Sequence, residues 1–126
     1  MAFGESLYSR LSNNAGVTAL AGTRIYPNNF KQGGTKPAVR YTRLSTVSHH
    51  LMGADANVET HTYQIDSIAI NYADVDALHS AVKAALSRWR EVGVVQDSMV
   101  GTVRDIYDSD VKMNRIQMII DFFVEV

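Results

Sequence analysis

The chain has 126 residues, of which 46% are hydrophobic, with a formal net charge of −1 and no cysteine. That length closes one core and hardly two, and the near-neutral balance removes any whole-chain argument for nucleic-acid or acidic-membrane binding. Without thiols there can be no disulfides or thiolate metal sites, a composition that fits a reducing compartment.

The start Met1-Ala2-Phe3-Gly4-Glu5 shows no basic segment followed by an apolar one, so no signal peptide is visible. No apolar run approaches the roughly 20 residues of a membrane helix. A single soluble domain over 1–126, made in a cytoplasm, is expected, with no internal repeat or linker. Charge is uneven along it. Residues 1–53 carry Arg10, Arg24, Lys31, Lys36, Arg40 and Arg43 against Glu5 alone, whereas the remainder holds six basic and twelve acidic residues.

In chain order, Phe3, Leu7 and Leu11 fall on one helical stripe, predicting a helix over about 3–13 that stops at Asn13-Asn14. Val17 to Gly22 reads as a short helical piece closed by glycine, after which Ile25 and Tyr26 are β-formers halted by Pro27. Residues 28–36 form a polar loop. A strand opens at Pro37 and runs through Val39, Tyr41 and Arg43. Between Ser45 and Glu59 periodicity is lost, which predicts a long flexible loop or hairpin tip and makes this segment the leading contact element.

Thr60 to Ile70 alternates at first, with Tyr63 and Ile65 on one side and Thr62, Gln64 and Asp66 on the other, then turns apolar, which predicts a strand covered on both faces near its end, or a bulge. Asn71 offers an N-cap with Asp74 three residues on, and Val75, Leu78, Val82, Leu86 and Trp89 predict a helix over about 72–90. Gly93 is the expected cap, with Arg88 and Arg90 set against the helix dipole. Strands over about 97–107 and from Ile116 onward, where Ile116, Met118, Ile120, Phe122, Val124 and Val126 alternate, make a C-terminal hairpin through Asp108-Ser109-Asp110. The expected fold class is α+β: a mostly antiparallel sheet with the long helix and the N-terminal helix on one face.

No catalytic constellation emerges. His49-His50 lack a third ligand, and His61 and His79, read as lying in a strand and on a helix's polar side, have no metal-ligand spacing. Asp108-x-Asp110 has Lys112 where a calcium loop needs its third ligand, Gly33-Gly34-Thr35-Lys36 departs from a phosphate loop, and no Gly-x-Ser-x-Gly elbow occurs. No cofactor or metal is expected. Trp89 continues the helical stripe into the core, while Phe123 sits on the polar phase of the last strand, as an interface anchor would.

The series Ala19-Leu20-Ala21-Gly22-Thr23-Arg24-Ile25-Tyr26-Pro27, Gln32-Gly33, Lys36-Pro37-Ala38-Val39-Arg40-Tyr41 and Tyr63-Gln64-Ile65-Asp66 before an Ala/Val/Leu-rich helix resembles the tail completion or tail terminator family of long-tailed (siphovirus-like) bacteriophages. The likeness spans nearly the whole chain. Where that family often has a proline near the Gln-Gly turn, this chain reads Asn28-Asn29-Phe30-Lys31. The resemblance implies a non-enzymatic subunit of the virion tail, assembled in the host cytoplasm. It would form a hexameric ring at the head-proximal end of the tail tube, stop tube growth and meet the head connector. Its partners would be copies of itself, the major tail tube protein and the head–tail connector or neck protein, with DNA a non-specific passenger and no membrane.

A protomer basic early and acidic late suits a heterologous contact. The candidate interface residues are Arg24, Lys31, Arg40 and Arg43 on the basic side, His49, His50, Leu51 and Met52 in the loop, Asp105, Asp108 and Asp110 on the acidic side, and Phe123. Reversing the charge of Arg24 or Arg40 is expected to leave the fold intact. Acidic or neutral side chains such as Asp55 and Glu59 would suit a passage for DNA. A small oligomeric ligand-binding domain or enzyme of similar build, or a neighbouring neck component, is the alternative reading.

Overall fold

A computed structural model of the chain describes residues 3–22, 24–27, 37–51, 54–109 and 112–125. Helix α1 (Phe3–Ser12) buries the stripe Phe3, Leu7 and Leu11. The Asn14 side chain accepts from the Val17 amide at 3.1 Å and caps α2 (Ala15–Ala21). Gly22 closes α2 at φ 60° and ψ −125°, a conformation a side chain would strain, and its N–H donates to the Thr18 carbonyl.

The strands are β1 (Ile25–Pro27), β2 (Ala38–Leu51), β3 (Ala54–Ala69), β4 (Val95–Asp108) and β5 (Met113–Glu125), with α3 (Tyr72–Leu86) between β3 and β4. They form one five-stranded sheet in the order β1-β2-β3-β5-β4, antiparallel except for the β1–β2 pair. The fold is α+β, as expected. In β5 the alternation puts Ile116, Met118, Ile120, Phe122 and Val124 in the core and leaves the intervening side chains half-buried. Helix α3 crosses β3 and β5, and α1 and α2 pack against it, so all three helices share one face of the sheet.

The core centres on aromatic rings. Phe3 lies 5.0 Å from Phe122, 5.6 Å from Trp89 and 5.9 Å from Tyr63 between centroids. Arg10 covers the other end of this cluster: its guanidinium stands 5.1 Å from the Trp89 ring while Nε donates to the Ala85 carbonyl. On the opposite sheet face, Asp66 is fully buried, and Arg40 across the β2–β3 ladder donates to it through both Nε and an Nη nitrogen at 3.1 and 2.5 Å. β3 thus becomes covered on both faces toward its end, as its sequence indicates.

Five expectations are corrected in whole or in part. Of the two expectations for residues 45–59, the flexible loop is overturned and the hairpin holds: Ser45 pairs with Thr62, Ser48 with Glu59 and Leu51 with Ala54, so 45–51 and 54–59 of this segment are strand. Its side chains lack a hydrophobic period because Ser45 to Ser48 are exposed. The long helix ends at Leu86, with Ser87 as C-cap and Arg88 in the left-handed region at φ 56°, rather than at Gly93. Arg88 and Arg90 point to Asp97, at 3.0 and 3.6 Å, instead of serving the helix dipole. His79 faces the core and is 9% exposed, not on a polar side. Asn71 does occupy the N-cap, but its side chain donates to Asp74 and makes no cap to the backbone.

The turn out of α3 is latched by Ser98 of β4, whose buried hydroxyl donates to the Leu86 carbonyl and accepts from the Trp89 amide at 2.8 Å. Ser98→Ala leaves that buried amide unsatisfied and is expected to cost about 1–3 kcal/mol in urea unfolding. Asp66→Ala strands Arg40 beside an apolar strand end and is expected to cost about 3 kcal/mol in the same measurement. Burial first, then Lys83, holds the His79 imidazole below its ordinary value, while Asp76 and Asp105 oppose the shift. Protonation therefore favours the unfolded chain. Stability is full above the ordinary histidine pKa and falls as pH drops through it, and comparing urea midpoints at pH about 7.5 and about 5.5 should show His79→Gln flattening that fall.

Candidate assembly surfaces

The sheet presents three surfaces that the helices leave uncovered. The first is its far face, where polar side chains satisfy one another across the ladders. Arg40 pairs with Asp66, Gln64 donates to Asp66, Thr62 donates to Asp121 at 2.7 Å, and Arg104 donates to Gln117 at 2.6 Å. Phe123 stands on this face opposite Thr60 and Asp97, half-buried, with no helix over it. Its ring and the exposed Met99 side chain on the same face are apolar surface available to a neighbour among the polar pairs.

The second surface is the β2–β3 arm. β3 stops pairing with β5 at Val58↔Glu125, whereas β2 and β3 stay paired out to Leu51↔Ala54, so the arm extends beyond the rest of the sheet. His49, His50 and Leu51 lie on its β2 side. At its base, Glu59 accepts from Ser48 Oγ and meets His61 Nε2, each at 3.1 Å. The His61 contact first, then Ser48, holds the Glu59 carboxyl below the usual carboxylate range.

The third comprises the two outer edges. β1 pairs only with Val39 to Tyr41, leaving the outer edge of β2 open from Thr42 onward among the described residues. The outer edge of β4 is covered at its start, where Ser98 and Val95 carbonyls accept from the Arg88 and Glu91 amides, and is open from Met99 to Asp108 among the described residues. An open groove of about 640 Å³ runs beside the β2 edge, between α1 and the sheet, lined by Glu5, Tyr8, Pro27, Tyr41, Arg43 and Tyr63. Burial, as the leading cause, raises the pKa of both the Tyr41 and the Tyr63 hydroxyls, so neither is an activated nucleophile or base at neutral pH.

The sequence-derived interface set is therefore dispersed. Arg24 is committed internally, donating from Nε to the Pro37 carbonyl at 2.8 Å and from Nη to Leu20, and Arg40 is committed to Asp66. Reversing either charge would strike the fold. Arg43 is exposed at the groove, at the opposite edge of the sheet from Asp105, which accepts from the Tyr72 hydroxyl at 3.1 Å. Asp108 ends β4. Lys31, Met52 and Asp110 lie outside the described residues. What sequence reasoning missed are the strand edges and the exposed Val103 and Tyr107, which share a face of β4 with Asp105. Their two-residue spacing was the available signal.

Among the described residues, no three His, Asp or Glu side chains gather as a metal site, and no helix is long and apolar enough to cross a membrane. The model of the family described as tail completion protein gp17 matches residues 5–125. Among curated proteins there is no match. Among solved structures, a chain in the virion of a native gene transfer agent (GTA) particle has a similar fold, with a TM-score of 0.79 at 21% identity, covering 95% of this chain and 92% of that one. With all but the two ends of the sequence matched, the chain belongs to the tail completion protein gp17 family and is a structural protein of the phage virion tail.

Proposed function

We propose that the protein forms a closed ring, of six copies by expectation, at the head-proximal end of the tail tube, where it ends tube growth and joins the tail to the head connector. Family membership supports the place of action. The observation that carries the ring is the one-sided cover of the sheet: helices occupy one face, and among the described residues the other face and long stretches of both outer edges remain for neighbouring subunits. A subunit whose two edges differ makes heterologous contacts, which close into rings when the rotation permits.

The partners are then further copies of the chain, the tail tube protein and the connector or neck protein. DNA is a passenger. Pairing of Arg40 with the Asp66 carboxylate on its own face lowers the pull of that face on phosphate, as a passage requires. The β2–β3 arm, with His49, His50 and Leu51, is the element we assign to docking on the tube or connector, and Phe123 to a subunit contact.

Phage produced without this protein should yield tubes of uncontrolled length with no heads attached, and supplying the protein should restore uniform tails capped by a ring in negative-stain images. Uniform, head-joined tails in its absence would overturn the reading.

A further inference from the structure

We infer that neighbouring copies join edge to edge, the open edge of β4 in one copy pairing antiparallel with the open edge of β2 in the next, so that one sheet continues from subunit to subunit. This rests on the ring reading and specifies the contact that closes it.

Four observations converge. The two open edges are the outer edges of the same sheet, on opposite sides of the molecule, so copies related by a rotation present one to the other. β4 runs antiparallel to β2 through the intervening strands, so side-by-side copies in the same orientation bring these strands together as an antiparallel pair. Both edges are long. Among the described residues, Met99 to Asp108 on one side and Thr42 to Leu51 on the other leave rows of backbone donors and acceptors, and a long exposed edge is a template for another strand.

The fourth is chemical fit on one face. Val103, Asp105 and Tyr107 project to the helix side of β4, with Val103 42% and Tyr107 59% exposed. On the helix side of β2, Arg43 flanks the groove of Tyr8, Tyr41 and Tyr63, which begins where Pro27 ends β1. A docked β4 would set the Asp105 carboxylate toward the Arg43 guanidinium and turn Tyr107 toward the tyrosine groove, with Val103 lying on the arm side of Arg43. Backbone bonds then supply affinity and alternate side chains supply specificity, as in strand addition generally. β1 occupies β2 only as far as Tyr41, so the incoming strand must lie toward the arm, staggered along the sheet.

The chain has no native cysteine, so introduced ones report single positions. Arg43→Cys and Asp105→Cys would be made separately and together, alongside a second pair on the far face of the same edges, Thr42→Cys and Arg104→Cys, with folding checked by circular dichroism. Each would be treated with a short bis-maleimide, both as free protein and in assembled tails. Mixing the two single variants of a pair should give cross-linked dimers and the double variant a ladder ending at the ring, while each single variant alone gives none. A single variant that cross-links to itself would indicate a two-fold contact and overturn the inference. Rings visible in micrographs without cross-links from either pair would overturn the edge pairing and leave the ring standing. Absence of both rings and cross-links in tails would remove the two together.

Discussion

The structure depends on the seating of Trp89. Three separate parts of the chain meet there: Phe3 and Arg10 of the first helix, the turn that leaves α3, and Phe122 of the last strand. Ser98 fixes the turn by binding both the final helical carbonyl and the Trp89 amide, so the ring enters the core at one angle. Burying each large side chain contributes about 1.5–3 kcal/mol, and the aromatic contacts add about 0.5–1.5 kcal/mol per pair. With the contacts of Phe3 to Tyr63 and Phe122, this junction aligns α1 with strands far away in sequence.

With the helices gathered on one side, the far face has to order itself without a covering layer. It does so through cross-strand polar pairs, of which Arg40 with Asp66 is the most deeply buried. Such a pair costs desolvation on both partners and gives specificity of register in return, since a one-residue slip of β2 against β3 would separate the charges and turn every side chain to the wrong face. The far face is thus well ordered in a single subunit while still accessible to others. That combination suits a family of virion proteins, whose surfaces are made to be covered later.

What the sequence revealed follows from which faces are buried. β5 and α1 were legible because one face is apolar and the other wet, which is the condition that writes a period into the residues. The β2–β3 hairpin was legible only as a loop or hairpin tip, because Ser45 to Ser48 are exposed and no period marks the strand. The end of α3 was misread because Trp89 keeps helical spacing while the backbone has already turned at Arg88, and spacing alone cannot report a left-handed residue. The same holds for the candidate surfaces. Arg24 and Arg40 looked like free cations, yet their acceptors, Pro37 O and Asp66, lie 13 and 26 residues away and no local pattern announces them. Arg43 kept the exposed position its sequence suggested. Strand edges are properties of strand order, and order is set by pairing across the whole chain.

That order has a consequence for biogenesis. β5 is the last strand in sequence but lies between β3 and β4, so neither half of the sheet can meet the other until residues 113–125 have left the ribosome. Long-range pairing of this kind makes folding a late, whole-chain event. A truncated translation product would lack its keystone strand and could not masquerade as a finished subunit.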